Sequence, residues 1–224
     1  MKHKQLLLSV LTAMVLFSCG ESAKPSSTEE TTFETTPGTE QVESDDKPVV
    51  KPVDYSKQLS QFIPKGYSVL DTASGNLNLD DYTDMILILK KDNEAEISDV
   101  VDNSGKRPLL ILLGQADGTA KKAAKNDNTV LCVDCGGVFG DPYNGITIKN
   151  GYFSVEHYGG SNWRWTRIVT YKYDKKEQNW YLHKDGGMSY HTSEPENAEE
   201  TVRTTKEFGK VKFVDFDVYK EQGE

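Results

Sequence analysis

Residues 152–184 read YFSVEHYGGSNWRWTRIVTYKYDKKEQNWYLHK. Apolar and polar side chains alternate along this stretch, and β-branched and aromatic residues are dense. Gly159-Gly160 and Asp174-Lys175-Lys176 interrupt the runs. A period of two with such breaks predicts three antiparallel strands. Phe153, Val155 and His157 share a face of the first. Trp163, Trp165, Val169, Tyr171 and Tyr173 share a face of the second, and Trp180 and Leu182 one of the third. A face this aromatic must be buried or bound to something, because aromatic side chains carry so much apolar surface.

The pattern also constrains register. Both apolar faces use odd numbers, so opposed residues sum to an even number. Pairing His157 with Trp163 leaves 158–162 as a loop, sets Val155 against Trp165 and Phe153 against Arg167, and puts Glu156 opposite Arg164 as a cross-strand ion pair. His157 and Arg167 then fall on the apolar face. Two readings stand. Either each is a satisfied core residue, His157 on a backbone group and Arg167 on a carboxylate, or His157, Trp163 and Arg167 line a ligand pocket at the Gly159-Gly160 end.

The N-terminus predicts export. Met1-Lys2-His3-Lys4 is a positive region, and the apolar stretch to Phe17 is too short to span a bilayer. Leu16-Phe17-Ser18-Cys19 resembles a bacterial lipobox. The resemblance implies a signal peptide over 1–18 and acylation of Cys19, and several acyl chains give a stable anchor where one does not. Gly20 stands where an Asp would mark inner-membrane retention in enteric bacteria. The expected place is therefore the outer membrane, facing the periplasm or the cell surface. Residues 19–53 are rich in Ser, Thr, Glu and Pro and poor in large apolar groups, so they are expected to be a disordered acidic linker. Residues 54–224 are expected to form a single β-rich domain. The formal charge of −9, with scattered lysines, argues against a nucleic-acid partner.

Asn76-Leu77-Asn78-Leu79-Asp80-Asp81-Tyr82-Thr83-Asp84 runs directly into an apolar strand at 85–89. Oxygen side chains stand at loop positions 1, 3, 5 and 9, and Tyr82 can offer its carbonyl. A hard cation needs six to eight oxygens at such spacing. The loop resembles the calcium loop of FG-GAP and VCBS repeats, which implies calcium on Asn76, Asn78, Asp80, Tyr82 and Asp84. Position 1 is Asn rather than an acid. Position 6 is Asp81 rather than Gly, which would have to adopt a left-handed conformation there. The competing reading is a polar turn closed by Asx-type hydrogen bonds.

Elsewhere, Asp54 with Tyr55, Leu59 and Phe62 predicts a short N-terminal helix, and Leu109-Leu110-Ile111-Leu112-Leu113 a strand buried on both faces. Further strands are expected at 129–133 and 146–149 and around Val211 and Phe213. One or two helical turns are expected over 119–125 and a loop over 188–205. Asn150-Gly151 predicts a type I′ hairpin turn. Cys132-Val133-Asp134-Cys135 holds the two cysteines other than Cys19. A disulfide or simple thiol pair, half of a zinc site completed by His157, His183 or His191, and a redox pair all remain open.

The expected fold class is mainly β: an antiparallel meander or sandwich with propeller-blade-like hairpins and one short N-terminal helix. The acidic loop leading into a strand, with the HYGGSNWRW hairpin after it, resembles uncharacterised Bacteroidetes-like exported lipoproteins. That resemblance implies a shared fold and no activity. The function expected is a lipid-anchored envelope binding or scaffold module, calcium-stabilised if the loop takes a cation, with an envelope protein or glycan as partner. The alternative is an envelope hydrolase or thiol oxidoreductase using His157 and Arg167, or Cys132 and Cys135. No G-x-S-x-G or H-E-x-x-H motif is present.

Overall fold

A computed structural model describes residues 50–220, so the expected signal peptide, Cys19 and most of the expected linker lie outside the described residues. Among the described residues, nine strands form two antiparallel sheets, and the chain is mainly β as its alternation predicts. The first sheet holds β1 (Tyr67–Gly75), β2 (Asp84–Lys91), β3 (Leu109–Gly114) and β4 (Ala120–Asn126). The second holds β5 (Tyr143–Lys149), β6 (Tyr152–Gly160), β7 (Trp163–Asp174), β8 (Asn179–His191) and β9 (Glu199–Thr204). Each sheet is a meander in chain order.

The apolar runs are continuous on β2 and β3 because the first sheet is covered on both faces. Ile86, Ile88, Leu109 and Ile111 face a core shared with Phe153, Val155, Val169, Tyr171, Trp180 and Leu182 of the second sheet. Met85, Leu87, Leu89, Leu110 and Leu112 face the other way, onto Tyr55, Leu59 and Phe62. The expected helix there is a single 3-10 turn, Leu59–Phe62, which covers the sheet. The shared core is completed by the C-terminal segment. Phe153 stacks on Tyr171 at 4.7 Å, and Phe213 and Phe216 meet Tyr171 edge-on at 5.2 and 5.7 Å. The Asn126 amide donates to the carbonyls of Phe213 and Phe216 and so pins that segment over β4.

Several expectations change. Where helical turns are expected over 119–125, the chain forms β4, Ala120–Asn126. The Ala and Lys of β4 have helical propensity, but pairing with β3 overrides it. Residues 129–133 are irregular although Thr129, Val130 and Cys132 are buried. β8 runs on to His191 and β9 pairs with it, where a loop is expected over 188–205. The last strand is replaced by a 3-10 turn, Phe213–Asp215. The Asn150-Gly151 turn forms as predicted, with φ of 47° and 78°.

The β6–β7 register has the predicted parity but is displaced. Gly160 pairs with Arg164, and His157 faces Arg167 rather than Trp163. Glu156 consequently faces Ile168, and the expected pair with Arg164 is not made. The cause is local. A Cβ on Gly159 would lie 2.5 Å from the Trp165 ring, and one on Gly160 would lie 2.0 Å from the Trp163 carbonyl. The two glycines let the ladder continue past Tyr158 and close at Ser161-Asn162.

One charged residue ties these parts together. Arg107 precedes β3 and is fully buried. Its Nε and Nη2 donate to Glu94 of α1 (Glu94–Ile97) at 3.0 and 2.7 Å, and Nη1 and Nη2 donate to Asp141 at 2.7 Å each. Nη1 also donates to the Leu131 carbonyl at 3.2 Å. The five N–H donors of the guanidinium meet five acceptors. Arg107→Ala should destabilise the fold by roughly 3–5 kcal/mol, because it strands two carboxylates. Arg107→Lys should rescue little of that, since an ammonium offers three donors and no planar fork. Chemical denaturation of the three proteins checks both statements.

Candidate functional site

The 76–84 loop is closed by its own amides. Asp84 starts β2 and is fully buried. Its Oδ2 accepts from the Leu77 and Asn78 amides at 2.7 and 3.3 Å, and its Oδ1 accepts from the Gly114 amide at 3.1 Å. Asn76 Oδ1 accepts from Leu79 N, Asn78 Oδ1 from Asp80 N, and Asp80 Oδ1 from Tyr82 N. Asp80 Oδ2 takes the Asn78 side-chain amide. Every side-chain oxygen of Asn76, Asn78, Asp80 and Asp84 therefore already meets an N–H. Burial pushes the Asp84 carboxyl up to about 6, against the pull of the Leu77 and Gly114 amides. The left-handed residue of the loop is Leu79 (φ 62°), not Asp81. The loop also joins the sheets: Trp180 Nε1 donates to the Leu77 carbonyl and Gly151 N to the Asn76 carbonyl.

Cys132 and Cys135 form a disulfide. Cys132 is buried and Cys135 is half-buried. Asp134 stands with the two sulfurs, all within 4.8 Å of one another. The turn that carries them is docked by backbone bonds to the β6–β7 hairpin: Gly160 N donates to the Gly136 carbonyl and Val138 N to the Gly160 carbonyl.

The three predicted ligand-binding residues separate. His157 is buried, with Nε2 accepting from Leu131 N at 3.2 Å. Burial, then the charges of Arg167 and Arg107, lower its pKa to about 4. Arg167 makes a two-pronged ion pair with Asp185 at 2.8–2.9 Å, and its Nη1 donates to the Val218 carbonyl. Trp163 is 63% exposed at the hairpin tip, edge-on to His191 at 5.3 Å.

The structure adds a groove that sequence reasoning does not find. It has a volume of about 510 Å³ and runs between the disulfide turn and strands β7 and β8, lined by Val100, Cys135, Trp165, Arg167, Met188 and Tyr219 among others. Apolar side chains are exposed in it and on the hairpin tip and the disulfide turn. Val100, Val138, Phe139, Trp163 and Met188 are all exposed, and the Arg164 guanidinium lies 3.8 Å over the Phe139 ring. Of these features only Gly159-Gly160 leaves a mark in the sequence, as a doublet that permits close approach of the Trp165 ring and Gly136.

His157 gives a pH signature. Its folded pKa lies below the ordinary 6.5, so between about pH 6.5 and 4 the unfolded chain takes up a proton that the folded chain refuses. Its contribution is complete above that window and lost as pH falls through it, on the order of 3 kcal/mol. Asp84, raised by burial, acts in the opposite sense over roughly pH 4–6. The readout is therefore the stability difference between wild type and His157→Gln, which should shrink on acidification. A difference constant from pH 7 to 4 would assign the dependence elsewhere.

No family model, no curated protein and no solved structure matches this chain.

Proposed function

We propose that this chain is a lipid-anchored envelope module that binds a protein partner through the apolar end of its second sheet and does no chemistry on it. The observation that carries this reading is the set of exposed apolar side chains at this end of the second sheet: Trp163 at the hairpin tip, Val138 and Phe139 on the turn docked against that hairpin, and Val100 and Met188 in the groove. Exposed apolar patches of this kind mark interaction surfaces. Trp, Phe, Met and Arg are the residues enriched where proteins meet, and few of them supply most of the binding energy. The edge-on contact with His191 and the stacking of Arg164 on Phe139 hold two of these side chains in place before a partner arrives. The lipobox at Cys19 supplies the anchor and the outer membrane the place.

Catalysis by His157 and Arg167, or by the cysteine pair, fits less well. His157 is buried and accepts a backbone amide, and Arg167 is held by Asp185. The cysteines are joined.

The test uses the full chain in detergent and a membrane extract, with bound proteins identified by mass spectrometry. Trp163→Ala should weaken capture of a specific protein about 30-fold or more, as loss of a hot-spot residue does, at unchanged melting temperature. Saturable quenching of tryptophan fluorescence by cell-wall glycan fragments, lost in the same variant, would move the ligand to the sugars. Capture unaffected by Trp163→Ala and Phe139→Ala would sink the reading.

Calcium enters the proposal only as a stabiliser of the 76–84 turn, where the ion would share carboxylate and carboxamide oxygens with the amides that hold them. A melting-temperature rise of several degrees between EDTA and millimolar calcium, abolished by Asp80→Ala, would support it. Asp84→Ala is uninformative here, because it strips three buried amides of their acceptor. No shift would leave the turn held by hydrogen bonds alone.

A further inference from the structure

The two meanders end in β1 and β4 in the first sheet and in β5 and β9 in the second. β1 and β5 lie against each other. The Tyr143 hydroxyl donates to Asp71 at 2.8 Å, and a Cβ on Gly75 would lie 2.6 Å from the Ile148 side chain. β4 carries Lys121, Lys122 and Lys125. β9 differs from both. It is exposed over most of its length, pairs with β8 without a bulge, and holds neither Lys nor Pro.

The backbone shows which of its groups are free. Thr204 N turns away from β8 and donates to Glu207 Oε2 at 2.6 Å, in the capping box of the short helix α2 (Thr205–Phe208). Successive strand residues point their N–H and C=O groups to opposite sides. Glu200 and Val202 therefore present theirs outward, and Glu199, Thr201 and Arg203 present theirs to β8. Among the described residues no hydrogen bond reaches the outward groups of Glu200 and Val202.

The side chains add a charge pattern. Glu199, Thr201 and Arg203 share one face of β9, opposite Ser189, Gly187 and Asp185 of β8. Arg167 already holds the Asp185 carboxylate with two hydrogen bonds. Among the described residues neither Glu199 nor Arg203 has an ion-pair partner.

We infer that β9 pairs antiparallel with β9 of a second copy of this chain, about a two-fold axis at Thr201, so that Glu199 of each copy meets Arg203 of the other. An axis perpendicular to the sheet keeps the faces in line, so outward residues oppose outward residues. Glu200 of one copy and Val202 of the other then exchange their free N–H and C=O groups. The two Glu–Arg pairs fall at non-hydrogen-bonded positions, where side chains approach most closely. Neighbouring registers do not match. A shift of two residues one way sets Glu200 against Glu200. The same shift the other way needs Thr204 N, which Glu207 holds. An extended segment of another protein could use the same backbone groups, but the self-complementary charges select a second copy. The pairing is independent of the Trp163 surface, because Trp163 opposes His191, beyond the part of β8 that β9 covers.

Sedimentation equilibrium of the full chain in a density-matched detergent tests it. The chain should pass from monomer to dimer as concentration rises. Glu199→Arg, which faces Ser189 in its own sheet, should weaken the dimer at least tenfold at unchanged melting temperature, because it sets like charges together. Arg203→Glu should do the same. The two folded variants, each monomeric alone, should dimerise when mixed, since every opposed pair is then Glu with Arg. The Thr201→Cys variant should crosslink to its copy on oxidation, across positions within disulfide reach. Trp163→Ala should leave the dimer unchanged. A chain that stays monomeric, a dimer indifferent to Glu199→Arg, no recovery when the folded variants are mixed, no Thr201→Cys crosslink, or a dimer lost with Trp163→Ala would each overturn the inference.

Discussion

A buried guanidinium with all five donors occupied is the constraint on which the rest of this architecture depends. Arg107 cannot sit in an apolar interior alone, since the cost of burying an unpaired charge exceeds what a small domain can spare. Its acceptors come from three separate places: α1 after β2, the carbonyl of Leu131, and Asp141 just before β5. The irregular segment from 127 to 142 links the two sheets and has no ladder of its own. Arg107 gives that segment a fixed point. The disulfide turn next to it is then placed against the β6–β7 hairpin, and the groove arises from that placement. Stability and the candidate surface are therefore coupled through one side chain that touches no solvent.

Asp84 performs the corresponding task at the other joint. The loop it closes was legible as oxygen-rich, but the sequence could not say whether its oxygens look toward an ion or toward amides. In the fold each one receives an N–H, and the loop also receives the Trp180 indole and the Gly151 amide from the second sheet. A string of Asn and Asp at alternate positions serves either purpose, because both an ion and a chain of amides need the same dense supply of acceptors.

The parts of the fold that sequence reasoning reached are those set by local periodicity. Alternation on β6 and β7, the double burial of β2 and β3, and the Asn150-Gly151 turn all derive from neighbours in the chain. The parts it missed depend on partners far away. Ala120 to Asn126 favours a helix until β3 offers an edge. Residues 188–191 and β9 look polar because they pair on a sheet face open to water. The register slipped because Gly159 and Gly160 look like turn residues, yet they serve here as the flat part of a strand over which an indole lies. Arg107 had no signal at all: one Arg after a Lys and before a Pro is an ordinary surface pattern.

The charges on β4 have a consequence for crowded conditions. This strand ends its sheet, so one row of its backbone groups is free to pair with another chain. Lys121, Lys122 and Lys125 stand along it. Two such strands brought side by side would place like charges directly across from each other, which disfavours ladder formation between copies. Where copies meet at high concentration, this row of ammonium groups lets them collide and part without fusing their sheets at β4.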